Sequence, residues 1–249
     1  MKLKSLSLLV MAALSAPLAV QAADSPHSFS ANVGVTSDYL FRGVSQTQHN
    51  PAIQGGVDYS HKSGFYAGAW ASNVDWVDAG YYKDENFLEL DLYGGFRGSM
   101  GPVGYDLGVI TYYYPGDEYA GTASPDTTEL YVGLTWEFLN LKYSHVVSEN
   151  FIGWQGPGGQ DTRNSKYLEL NATYDLGKGW GVLGHVGHQW VNNLDDANYT
   201  DWKVGVTKDI GFGVVTLAYS DTNADDNLYV IAGEEIADGT VMLSFLKTF

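Results

Sequence analysis

The residues in this chain that could carry chemistry are its serines, histidines and carboxylates, and their spacing decides what kind. A hydrolytic Ser–His pair on a strand needs both side chains on one face, which makes i and i+2 the natural spacing. Ser144 and His145 are adjacent, while His145 and Ser148, like His185 and His188, are three apart, so each set is split across a strand. His27 and Ser28 fall in a tail next to the leader, and no His-Glu-x-x-His, P-loop or dinucleotide glycine pattern is present. "NLDDAN" at 193–198 and "NADDN" at 223–227 offer hard oxygen ligands but lack the turn glycine and spaced glutamate of a calcium loop, so they read as solvated acidic loops. No enzyme, cofactor or dedicated metal follows from these patterns.

What remains is a set of charges in one alternating phase. Asp38, Asp58, Glu89, Asp91, Asp106, Glu129, Glu137, Glu169 and Asp175 share it with Arg42, Arg97, Lys142 and Lys203. Nine carboxylates in a dry interior would cost too much unless paired, so this face should be hydrated or braced by ion pairs. Lining a pore, such a face would enrich cations, with the basic residues setting the constriction.

The elements that must position these charges alternate with a period of two. In the first, Phe29, Ala31, Val33, Val35, Tyr39 and Phe41 oppose Ser30, Asn32, Gly34, Thr36, Asp38 and Arg42. About twelve such segments are expected, near 29–41, 52–60, 65–74, 87–97, 103–113, 129–138, 140–147, 167–176, 180–190, 201–208, 212–219 and 240–249, each long enough for a tilted membrane strand. Short links such as "HKSG" and "LGKG" alternate with long acidic ones holding Asp75, Asp78, Asp84, Glu85, Asp117, Glu118, Asp195, Asp196, Asp225 and Asp226. That asymmetry is expected of periplasmic turns and extracellular loops. Trp70, Trp76, Trp136, Trp190 and Trp202 read as interfacial girdle residues, and Tyr112, Tyr114, Tyr131 and Tyr167 as the aromatics on the lumen side. The chain ends on Phe249, after an alternating last strand, as an insertion signal for the barrel-assembly machinery would.

Residues 1–22 read as a secretory signal peptide, with Lys2 and Lys4 before an apolar run and Val20-Gln21-Ala22 as the cleavage site, leaving 23–249 as one barrel domain. Removing those lysines from 13 basic residues leaves 11 against 29 acidic ones, a formal charge of about −18 that argues against nucleic acid as a partner. The chain has no cysteine, which excludes disulfides and thiolate sites.

"SANVGVTSDYLFRGVSQTQHNPAIQGGVDYSHKSGFYAGAWASNV", centred on Ser37, Asp38, Tyr39, Phe41, Arg42 and Gly43, resembles the N-terminal region of the TorF-type porin-like proteins, a proteobacterial family also labelled Gcw_chp. The resemblance implies an outer-membrane β-barrel acting as a porin, and implies neither a substrate nor catalytic residues. The combined expectation is an all-β transmembrane barrel in the cell outer membrane, among outer-membrane lipids and lipopolysaccharide. It would pass small hydrophilic solutes by diffusion, with cation preference and with the oligomeric state left open. A plugged barrel acting as adhesin or structural anchor, or less favourably a lipid hydrolase, are the alternatives. Arg42 is expected near the extracellular end of the first strand, paired with Asp38 at i−4 or with a neighbouring wall carboxylate.

Overall fold

The computed structural model describes residues 25–77, 87–116, 119 and 121–249. Residues 1–22, read from the sequence as a signal peptide, and the loop residues Asp78, Asp84, Glu85, Asp117 and Glu118 lie outside the described residues. Twelve strands form one closed antiparallel barrel: β1 His27–Thr36, β2 Ala52–His61, β3 Phe65–Asn73, β4 Leu88–Met100, β5 Val103–Tyr113, β6 Thr127–Trp136, β7 Leu139–Val146, β8 Lys166–Gly177, β9 Trp180–Trp190, β10 Tyr199–Asp209, β11 Val214–Thr222 and β12 Thr240–Thr248. Each strand pairs with its neighbours in sequence, and β12 closes on β1 from Asn32↔Thr248 to Thr36↔Ser244. Phe249 extends that seam, its amide donating to the Ala31 carbonyl at 2.8 Å.

Alternation sorts the two faces as the pattern requires. Phe29, Ile53, Val57, Leu92, Leu130, Val204, Val241 and Leu243 point outward, each more than half exposed. In water such a belt would be unstable; against lipid it replaces hydrocarbon contacts at no cost. Trp136, Trp190 and Trp202 are exposed on this outer face, as girdle residues should be. Trp70 and Trp76 are not among them: both are buried, Trp70 edge-on to Tyr39 and Trp76 edge-on to Tyr114, because Trp70 follows the inward phase of Tyr66 and Ser72.

The interior explains the abundance of glycine and tyrosine. Tyr93 lies opposite Gly68, Tyr66 opposite Gly95 and Tyr131 opposite Gly108, and a Cβ on any of these glycines would come within 3 Å of the facing ring. Each inward ring lies flat over a neighbouring strand that has no side chain to obstruct it. Tyr112, Tyr114, Tyr131 and Tyr167 are all buried, as their phase predicts.

One segment departs from the expected boundaries in a way that matters. The first strand stops at Thr36 rather than residue 41, and residues 37–51 fold into the barrel. Ser37 ends the strand by exchanging hydrogen bonds with Leu243 of β12, its amide and its Oγ each 2.9 Å from their partners. A two-residue hairpin follows, Leu40–Phe41 pairing with Val44–Ser45, with Arg42 (φ 50°) and Gly43 (φ 81°) at its tip. Two positive φ values are what a tight hairpin turn of matching twist needs. Arginine pays roughly 1–2 kcal/mol for that conformation.

Gly43 is required on both counts, since a Cβ there would meet Thr222 Cγ2 at 2.6 Å and Asp201 Cβ at 2.7 Å. Gly43→Ala is therefore expected to loosen the hairpin by about 1–3 kcal/mol while leaving the barrel closed. Protease cleavage within residues 37–51 should accelerate, with heat-modifiable gel migration unchanged.

Candidate functional site in the barrel lumen

The tip of the inward hairpin places Arg42 against the far wall. Its Nη2 donates to both carboxylate oxygens of Glu129 on β6, at 2.8 and 2.7 Å, and its Nη1 donates to Gln189 Oε1 on β9 at 2.7 Å. Gln189 is held for this by its own amide, which donates to the carbonyls of Lys166 and Trp190, each at 3.1 Å. The guanidinium also lies over the rings of Tyr167 (4.3 Å), Phe41 (4.7 Å) and Phe151 (5.5 Å). Burial works most strongly against its charge, but the Glu129 carboxylate, with smaller contributions from Tyr112 and Tyr167, raises the arginine above its ordinary value. A buried pair of this kind, 7% and 1% exposed, needs further hydrogen bonds to offset its desolvation, and Gln189 supplies one to the guanidinium.

The rest of the hairpin is tied just as specifically. Asp38 Oδ1 accepts from Ser45 Oγ at 2.6 Å, and its Oδ2 lies 2.8 Å from His49 Nδ1. The expected pairing of Arg42 with Asp38 therefore does not form. The two would have shared a face on a continuous strand, and the inward turn at Ser37 sends them to opposite ends of the hairpin. The second option, a wall carboxylate, is the one realised. Tyr39 donates to Glu89 Oε1 and Tyr114 to Glu89 Oε2, both at 2.5 Å. Asp91, 2% exposed, has no hydrogen-bond partner at Oδ1.

Two apolar clusters fill the long-loop half of the barrel around this hairpin. One gathers Tyr39, Trp70, Val74, Trp76, Tyr112 and Tyr114; the other gathers Val44, Val146, Phe151, Tyr199, Tyr229 and Ile236 from the hairpin, wall and long loops. Phe41, Ile152 and Ile231 pack against both. Of the two expectations for this face, hydrated or braced by ion pairs, Glu129 meets the second through Arg42, while Glu89 and Asp91 are buried behind the hairpin without a basic partner among the described residues.

Towards the short turns the interior is polar. Asp58 accepts from Tyr93 and Asp106 from Tyr66, both at 2.6 Å, with Tyr66 also bonded to Tyr131. Arg97 lies over the Tyr66 ring and Lys142 over that of Tyr131. A chamber of about 80 Å³ touches the hairpin tip and is lined by Arg42, Lys142, Glu169, His185, Asp201 and Lys203 among others. On its wall a chain of polar contacts runs from Glu169 through Asn171 and His185 to Asp201 and Tyr167, with spacings of 2.7–2.8 Å.

The lumen thus brings together Arg42, Asp58, Glu89, Asp91, Arg97, Glu129, Lys142, Glu169 and Lys203 on wall or hairpin, and Asp38 on the hairpin rather than the wall. Glu137 does not belong: β6 ends at Trp136, and Glu137 sits exposed at φ 54° in the turn before β7, where strand parity no longer applies. Asp201 was missing from the expected set although it stands two residues before Lys203, and continuing the alternation one step back would have found it. Ser144 is buried inside while its neighbour His145 faces outward, paired with Lys166.

A closed barrel of twelve antiparallel strands, apolar outside, charged and aromatic within, with short turns at one end and long loops at the other, is an outer-membrane barrel of the porin type. The chain belongs to the Gcw_chp family, described as bacterial protein of unknown function, whose model matches residues 20–249. Among solved structures it is similar to the KdgM porin (TM-score 0.54, 6% identity, covering 88% of this chain and 99% of that one). It is also similar to the NanC porin (TM-score 0.54, 11% identity, 89% and 98%). The COG4313 outer membrane channel from Pseudomonas putida F1 matches in the same way (TM-score 0.51, 11% identity, 89% and 95%). At these identities the likeness is one of fold. No curated protein matches the sequence.

His49 makes the hairpin's attachment sensitive to pH. Its Nδ1 faces Asp38 and its Nε2 faces the Glu235 carbonyl at 2.8 Å, and both acceptors are satisfied only by the protonated ring. Burial opposes that charge, but the Glu235 carbonyl and the Asp38 carboxylate outweigh it and raise His49 above its ordinary value. The stabilisation is complete below the unfolded value of about 6.5 and is lost as pH rises through the higher folded value. Amide exchange at Ser45, whose N–H donates to the Ile236 carbonyl, should therefore speed up between pH 6 and pH 9 beyond the intrinsic base-catalysed rate. His49→Ala should remove that excess.

Proposed function

We propose that this barrel is an outer-membrane channel for passive diffusion of small hydrophilic solutes, held closed in its extracellular half by the Arg42 hairpin and preferring cations when the hairpin withdraws. The observation that carries this reading is the Arg42–Glu129–Gln189 contact, which joins a loop segment to two stretches of wall three strands apart, on β6 and β9. Withdrawal of the hairpin takes a cation out of the lumen and uncovers Glu89, Asp91 and Glu129, so the open passage is more acidic than the closed one. Asp58, Asp106 and Glu169 continue that acidic lining, and Arg97, Lys142 and Lys203 narrow it. Transport of this kind needs no chemical step. Phe249, at the end of the seam with β1, is on the same reading the signal by which the assembly machinery inserts the barrel.

The KdgM porin has been solved in complex with disordered oligogalacturonate, an acidic sugar chain. A cation-preferring lumen would disfavour such a solute here. The two packed clusters also favour a second reading, in which the barrel stays plugged and serves as an adhesin or structural anchor.

Planar-bilayer recordings separate these. Breaking a buried pair by removing one partner costs about 3–5 kcal/mol, so Arg42→Ala should raise open probability at least tenfold, with a reversal potential favouring K⁺ over Cl⁻. Unchanged conductance would remove the hairpin from the mechanism, and anion selectivity would defeat the cation preference. Silence of both proteins, with no liposome swelling, would leave the plugged anchor.

A further inference from the structure

The outward face at the long-loop ends of β7, β8 and β9 differs from the rest of the lipid belt. Lys166, the first residue of β8, lies between His145 of β7 and Trp190 of β9 in the strand register, and Leu168, one step further into the membrane, lies between Tyr143 and His188. Lys166 is exposed, and its ammonium has no hydrogen-bond or ion-pair partner among the described residues. The histidines are already oriented: His145 faces Asn164 Oδ1 and the Tyr143 hydroxyl, while His188 faces Thr200 Oγ1 and packs edge-on against Trp190 at 4.3 Å. An open groove of about 520 Å³ runs over Lys166, Leu168, Tyr143 and Trp190, with Asp195 from the following loop at its outer end. Arg163, next to Asn164 in the groove wall, is anchored by donating to the Val147 carbonyl beyond the end of β7.

This concentration of positive charge is local. Among the described residues the other lysines and arginines lie in the lumen (Arg42, Arg97, Lys142, Lys203) or towards the short-turn end (Lys62, Lys178, Lys208, Lys247). Arg163 and Lys166 are therefore the basic side chains at the level where the apolar belt gives way to the extracellular loops. That level is where the outer leaflet's glycolipid carries its phosphates, directly above its acyl chains.

We propose that this face is a binding site for the phosphorylated glycolipid of the outer leaflet. A phosphate sits on Lys166 and Arg163, the sugar stacks on Trp190, and an acyl chain lies along Leu168 and Leu170. Asp195 limits how far the sugar extends outward, or shares a divalent cation with a second phosphate. The site makes no use of the lumen, so it stands whether or not the barrel conducts.

Native mass spectrometry of the purified, delipidated protein in detergent tests this, using lipid A with both phosphates, lipid A with neither, and cardiolipin. Lipid A with its phosphates should bind roughly tenfold more tightly than the dephosphorylated form. Arg163→Gln combined with Lys166→Gln should abolish that difference, while Lys208→Gln, a lipid-level lysine at the opposite end, should preserve it. Heat-modifiable migration reports that each variant is folded, and the phosphate comparison on the unaltered protein decides the matter if the double variant is not. Equal binding of the two lipid A forms, or retention of the difference in the double variant, would overturn the site. Cardiolipin binding as tightly as lipid A would overturn the assignment to a glycolipid and leave only a general attraction for anionic lipid.

Discussion

Closure of the strand ladder is the constraint from which the rest of the molecule follows. In hydrocarbon an unpaired backbone amide or carbonyl costs several kcal/mol, so a sheet can cross a membrane only if its first and last strands pair. Here that seam is short, five registered pairs between β1 and β12, lengthened by the Phe249–Ala31 hydrogen bonds and by the two that Ser37 exchanges with Leu243. Once it is closed, every strand residue is committed to lipid or lumen, and a one-residue slip anywhere would invert both faces.

Twelve strands enclose a lumen too wide for wall side chains alone and too narrow for a generous channel. The chain resolves this in two different ways along the barrel axis. Nearer the short turns, tyrosine rings lie over glycines of the adjacent strand and pair with Asp58 and Asp106, which leaves polar space. Nearer the long loops, the hairpin of residues 37–51 and residues of five other long loops enter the lumen and pack it with apolar side chains. The carboxylates caught in that half survive burial because each of two has dedicated donors: Glu129 from Arg42, and Glu89 from Tyr39 and Tyr114. Asp91 is the exception, with an oxygen left unpaired. An unpaired buried carboxylate destabilises the packed arrangement around it.

The outside of the barrel is likewise not uniform. Its belt is apolar from Phe29 round to Leu243, but at one sector of the extracellular rim Lys166, Arg163 and Trp190 interrupt it, on a chain whose charge is otherwise strongly negative. That basic sector and the carboxylate-rich lumen behind it are separated by the thickness of one sheet.

Alternation of residue types was enough by itself to determine the barrel, its strand count, and which side chains face in, because strand parity is a local property that any window of ten residues reveals. Eleven of the twelve strands lie within three residues of where that pattern puts them, and the lumen charges from Asp58 to Lys203 follow with them. Parity says nothing once a strand ends, which is why Glu137 and Asp38 were assigned to the wall and are not on it. Parity also places Trp70 inward, in phase with Tyr66 and Ser72, and only its position near a strand end made it read as a girdle residue. The decisive feature, the turn at Ser37 that carries Arg42 across the lumen, was invisible for a related reason: residues 37–41 keep the same alternation whether they climb the wall or fold inward. Only the tertiary structure chooses, because the partners that hold the hairpin, Glu129, Gln189 and Glu235, lie 87 to 186 residues away in the chain.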